Sequence, residues 1–102
     1  MKIIVFFDLP VTKKSDRKVA SQFRQFLLKD GYDMMQFSIY TRICIGIDGV
    51  NKHVNRLENI KPKKGNVRVL TVTDKQYGNI KILVGKPKKI SKKIKVKQLV
   101  LF

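Results

Sequence analysis

The chain has 102 residues, 43% of them hydrophobic, which suits one compact domain with a small core. A single cysteine excludes an intrachain disulfide and a Cys-rich zinc site, and no apolar stretch approaches the roughly 20 residues of a membrane helix. With 23 Lys+Arg against 7 Asp+Glu the formal charge is +16, an excess that points to a polyanionic partner, nucleic acid above all.

The first ten residues, Met1 to Pro10, set the frame. Ile3 to Phe7 is apolar at odd and even positions alike, so it reads as a strand covered on both sides, the central rod of a sheet. It ends in Asp8, and Pro10 stops it by removing a backbone donor. An acid at the carboxyl tip of a central strand sits where α/β folds tend to bind ligands and metals.

Thr12, Ser15 and Asp16 carry helix-start chemistry, and the helix is expected to run to about Asp30, with Gly31 as its stop. Val19, Ala20, Phe23, Phe26 and Leu27 form its apolar stripe, while Lys14, Arg17, Ser21 and Arg24 share the opposite face. Met34 to Ile47 alternates apolar and polar residues, which predicts one bent strand or two joined near Thr41. Asp48-Gly49 opens a second helix with Val50, Val54, Leu57 and Ile60 on one face and the lone His53 at its surface. Lys61-Pro62-Lys63-Lys64-Gly65 closes that helix as a basic loop. Asn66 to Thr73 predicts another strand, Asp74 to Asn79 a polar or short helical turn, and Ile80 to Val84 a further strand.

These elements predict an α+β domain over residues 1–85, a ferredoxin-like βαββαβ sandwich with both helices on one sheet face. Residues 86–102 read as a basic linker with seven lysines between Lys86 and Lys97, then an apolar last strand ending at Phe102. The charge is correspondingly uneven: residues 1–60 hold 10 basic and 6 acidic side chains, residues 61–102 hold 13 and 1. An apolar final strand needs a sheet edge, and a second copy can offer one. A first strand apolar on both faces, with helices on one face only, also argues that two sheets stack as a homodimer.

Several stretches then fit a known pattern in order and spacing. They are Ile3-Ile-Val-Phe-Phe-Asp8-Leu-Pro10, Arg17 with Phe23-Arg24-Gln-Phe-Leu-Leu28, Gly31-Tyr32, Gln36-Phe37-Ser38-Ile39-Tyr40, and Lys63-Lys64-Gly65-Asn66 through Tyr77. The set resembles the CRISPR-associated adaptation protein Cas-two of Cas9-bearing systems, over about residues 1–85. The resemblance implies a homodimer whose last strands pad the partner's sheet. It implies a role in CRISPR adaptive immunity, bridging dimers of the Cas-one integrase and holding prespacer duplex DNA at the repeat. It also implies a metal-dependent endonuclease activity on RNA or DNA, with single-stranded RNA among the substrates.

On that resemblance Asp8 is the catalytic and metal-ligating residue, one Mg2+ being shared between the two Asp8 of the dimer. Phe37 and Ser38 match a pair near that seam, Phe37 reading more as core than as a stacking platform. Arg17 matches a helix arginine placed near phosphate. Sequence-blind phosphate contact points to Lys13, Lys14, Arg17, Lys18 and Arg24 on the first helix and to Lys63 and Lys64 in the loop. One acid with no evident base predicts slow hydrolysis. The alternative is a stand-alone toxin-type ribonuclease of the same fold. An RNA-recognition module is disfavoured by the missing aromatic signature on the third strand. The free cysteine, and an N-terminal run too short and strand-like for a signal peptide, lead to an expected cytoplasmic location with no membrane partner, and the resemblance implies a prokaryotic one.

Overall fold

The computed structural model describes residues 1–85. Their elements are β1 (Lys2–Asp8), α1 (Lys14–Lys29), β2 (Asp33–Gln36), β3 (Ile39–Ile43), α2 (Gly46–Ile60), β4 (Asn66–Val72) and α3 (Asp74–Gly78). The sheet order is β2-β3-β1-β4 with every neighbouring pair antiparallel. This is the ferredoxin-like arrangement that the sequence predicts, with β1 at its centre.

Alternation along β1 divides the sheet into two faces. Ile3, Val5 and Phe7 join Leu9 in a core built with Ala20, Phe23 and Leu27 of α1 and Val50 and Leu57 of α2. The rings of Phe7 and Phe23 meet edge-on at 5.1 Å between centroids. Ile3, Val5 and Leu27 are fully enclosed, so truncating Leu27 to alanine costs about 2–5 kcal/mol. On the opposite, open face stand Lys2, Ile4, Phe6 and Asp8, directly across from Val72, Leu70, Arg68 and Asn66 of β4.

The second extended region resolves into two strands, and the break falls at Phe37-Ser38 rather than at Thr41. Ser38 there takes φ of 65°, a left-handed backbone that is uncommon outside glycine. The strand also ends four residues earlier than its alternation suggests. Lys2 pairs with Ile43, and the backbones of Met1 and Cys44 exchange the last hydrogen bonds of that pairing. The chain turns away, Ile45 stands 93% exposed, and α2 begins at Gly46 instead of after Gly49.

The strand expected over Ile80 to Val84 does not form. Among the described residues the sheet holds four strands, and Ile80, Ile82, Leu83 and Val84 beyond α3 lie exposed. The turn before them is a short helix closed by a capping box between Thr73 and Gln76. In α1 the expected Thr12, Ser15 or Asp16 cap is replaced by Lys13, which makes no side-chain capping bond. The linker and last strand expected over residues 86–102 lie outside the described residues.

Candidate active site and basic surface

Asp8 ends β1 on the open face and is exposed, because Pro10 ends the pairing just beyond it. Opposite it, Asn66 begins β4. The approach of the basic loop to this point depends on Gly65. Its φ is 88°, and a Cβ there would lie 2.5 Å from the backbone oxygen of Asp8 and 3.0 Å from the Leu9 side chain. Only glycine lets the loop cross so close to the end of β1.

Around Asp8 lies an open depression of about 440 Å³, walled by Phe6, Phe37, Ser38, Ile39, Asn66 and Arg68. Three residues chosen from the sequence, Asp8, Phe37 and Ser38, therefore meet here. The Phe7 amide donates to the Ser38 carbonyl at 3.0 Å, tying the break between β2 and β3 to the β1 tip. The left-handed turn at Ser38 throws the Phe37 ring outward, leaving it 86% exposed. Phe37 is thus a surface ring beside an acid and not the core residue that its apolar character suggests.

The basic residues divide by what holds them. Lys13, Lys14 and Lys18 are exposed at the start of α1, and Lys14, Arg17 and Lys18 share a shallow groove. Lys64 approaches Asp16 at 3.8 Å, which brings the loop alongside the first turn of α1. Lys63 is exposed on the same loop. Arg17 is partly committed, since its Nη1 donates to the carbonyls of Val11 at 3.1 Å and Thr12 at 3.0 Å. Arg24 lies apart from them, half-buried with its guanidinium 5.6 Å from the Phe7 ring centroid.

Sequence reasoning missed Arg68 and Asn66, whose place beside Asp8 follows from the antiparallel register of β1 and β4. It also misplaced His53, which is 6% exposed and sits in the buried stripe of α2 between Val50 and Leu57. Three- and four-residue spacing from those two was the available signal. His53 Nδ1 lies 2.9 Å from Asp30 Oδ2 and does not line the depression, so it serves the helix layer. Nearby, burial pushes the Tyr32 hydroxyl and the Cys44 thiol upward from their ordinary values. Among the described residues no group of three His, Cys, Asp or Glu side chains converges as a metal cluster.

The fold and site define a small ferredoxin-like domain with one exposed acid at the tip of its central strand and a cationic first helix. Comparison with known proteins makes this specific. The family model described as CRISPR associated protein Cas2 matches residues 1–80. The chain is 53% identical over 102 residues to the CRISPR-associated endoribonuclease Cas2 of Acidovorax ebreus (strain TPSY), covering 100% of both chains. It is 46% identical over 86 residues to the protein of that name in Parvibaculum lavamentivorans, covering 84% of this chain and 85% of the relative. Against the Campylobacter jejuni protein of the same name the figures are 41% over 85 residues, 83% of this chain and 59% of the relative. The chain belongs to the Cas2 family of CRISPR systems.

Proposed function

We propose that two copies of this chain pack their open sheet faces together and form a bridge between Cas-one integrase dimers during spacer acquisition, holding prespacer duplex DNA on their basic surface. The observation that carries this reading is the open face itself. Phe6, Ile39 and Leu70 share it with an acid that has no charged partner among the described residues. An apolar face of that kind favours a symmetric partner, and symmetry brings the two Asp8 toward one seam. Lys13, Lys14, Lys18, Lys63 and Lys64 supply the sequence-blind phosphate contacts that a duplex of any sequence needs.

The same dimer is proposed to be a metal-dependent endonuclease, in line with the endoribonuclease name of the relatives. One chain offers the Asp8 carboxylate, with Asn66 and Ser38 lining the same depression. This donor set fits Mg2+, which is content with one or two carboxylates plus water and phosphate oxygens. Asp8 would hold the ion, which when bound polarises a phosphoryl oxygen and acidifies a water. Among the described lining residues there is no His, and Asp8 is the one carboxylate, so hydrolysis is expected to be slow.

Size measurement of the full chain, alone and mixed with the integrase and a short duplex, tests the reading. A particle of twice the 11.8 kDa chain mass that joins a larger integrase–duplex assembly supports it. A chain that stays at 11.8 kDa at working concentration, or never joins the integrase, overturns it.

A further inference from the structure

Among the residues lining the Asp8 depression, Arg68 carries the one positive charge and Asp8 the one negative charge. Alternation along β4 puts Arg68 across from Phe6, one step along the open face from the Asp8–Asn66 pair. Asp8 and Arg68 are therefore diagonal neighbours, about 7–8 Å apart between backbones. No ion pair joins them, and neither has another charged partner among the described residues. The opposite charges flank a gap instead of closing it.

We infer that Arg68 is a substrate-binding residue that grips one phosphate of a single RNA strand beside Asp8, an inference that rests on the nuclease reading above. A phosphodiester carries one negative charge, and a lone carboxylate repels it. A guanidinium on the far side of the gap offsets that repulsion whether or not an ion is present. Its planar fork takes two phosphate oxygens at once, which a lysine cannot do. The depression, at about 440 Å³, has the volume of a nucleotide-sized site. The exposed Phe37 ring on its rim offers a stacking surface to an unpaired base, which favours a single strand over a duplex.

The plain alternative is that Arg68 is a solvated strand charge. The composition of its face speaks against this. Phe6, Ile39 and Leu70 around it are apolar, and on a face that a second copy covers, a cation without an anion is costly. Arg68 is tolerable there if an anion enters with the substrate.

The test is binding of the full chain to a labelled single-stranded RNA in EDTA, by fluorescence anisotropy across a salt series, together with steady-state cleavage in Mg2+. The variants are Arg68→Ala, Arg68→Lys and Arg68→Gln, with the exposed Lys52→Ala as a charge control. Arg68→Ala and Arg68→Gln are expected to weaken binding by roughly 10-fold and to lower the salt slope by about 0.7, the value of one single-strand phosphate contact. Arg68→Lys is expected to keep the slope and lose a few-fold in affinity. In cleavage, KM rises more than kcat falls. Affinity and slope unchanged in Arg68→Gln, or changed no more than in Lys52→Ala, overturn the inference. If wild type cleaves nothing while Arg68→Gln still loses affinity and slope, the nuclease reading fails and the phosphate grip stands.

Discussion

Asp30 and His53 join the end of α1 to the middle of α2, with Oδ2 and Nδ1 2.9 Å apart and each side chain only 8% exposed. The other Asp30 oxygen accepts from Arg56 Nη1, and the Asp30 carbonyl accepts from Arg42 Nε at 2.7 Å. One residue thus ties both helices and the edge of β3 together. Burial alone would raise the Asp30 carboxyl, but the hydrogen bonds and charges of His53 and Arg56 outweigh it and hold the group below its usual 3.8. A depressed carboxyl contributes stability that is present above the unfolded value and lost as pH falls through the folded one. Asp30→Asn is therefore expected to melt below wild type at pH 6, by about 1–3 kcal/mol. The gap should shrink as pH falls below 3.8. Paired thermal melts between pH 2 and pH 6 read this, and a gap that stays constant across the range contradicts it.

Gly65→Ala is expected to damage both stability and the site. The new Cβ meets the Asp8 carbonyl at 2.5 Å, and the φ of 88° disfavours any side chain. Strain of this kind costs at least about 1 kcal/mol, which for a domain of this size lowers Tm by about 4–8 °C. Calorimetry measures the shift. A Tm within 1 °C of wild type would mean that the loop does not rely on that close approach.

Much of this architecture was legible because hydrophobic period reports burial. Ile3 to Phe7 named β1 as central, and Ala20, Phe23 and Leu27 named the buried face of α1. What stayed hidden depended on pairing. Ile43, Cys44 and Ile45 alternate as a strand does, yet pairing with β1 ends at Ile43 and the chain turns at the left-handed Gly46 into α2. Ile80 to Val84 has strand composition, yet among the described residues it pairs with no edge of the four-strand sheet. Asp8 was legible as an acid at a strand tip, whereas Arg68 emerges only once β1 and β4 are in register. His53 was misread because one polar residue within an apolar stripe looks like surface until its buried acceptor, 23 positions earlier, is known.

Asp8→Ala separates the two proposed roles. Asp8 is exposed and has no charged partner among the described residues, so its loss should leave Tm within about 0.5 kcal/mol equivalent of wild type. Mg2+-dependent cleavage is expected to vanish while the dimer and the integrase assembly persist. Cleavage assays and size measurement on one preparation read both. Cleavage that survives would remove Asp8 from the chemistry, and an assembly that falls apart would make the seam structural.

The basic start of α1 carries a prediction of a different kind, because its lysines serve any sequence alike. Lys13, Lys14 and Lys18 are exposed, while Arg17 also secures the Val11-Thr12 turn. Replacing the three lysines by alanine should weaken duplex binding and lower its salt slope by about 0.9 for each phosphate contact removed. The loss should be equal for duplexes of unrelated sequence, since phosphates carry no base identity. Tm should hold, whereas Arg17→Ala should lower it by releasing two loop carbonyls from their donor. Titrations of two unrelated duplexes at several salt concentrations, with melts of each variant, check the set. A slope that does not move would take the duplex off this end of the helix and turn attention to the Lys63–Lys64 loop.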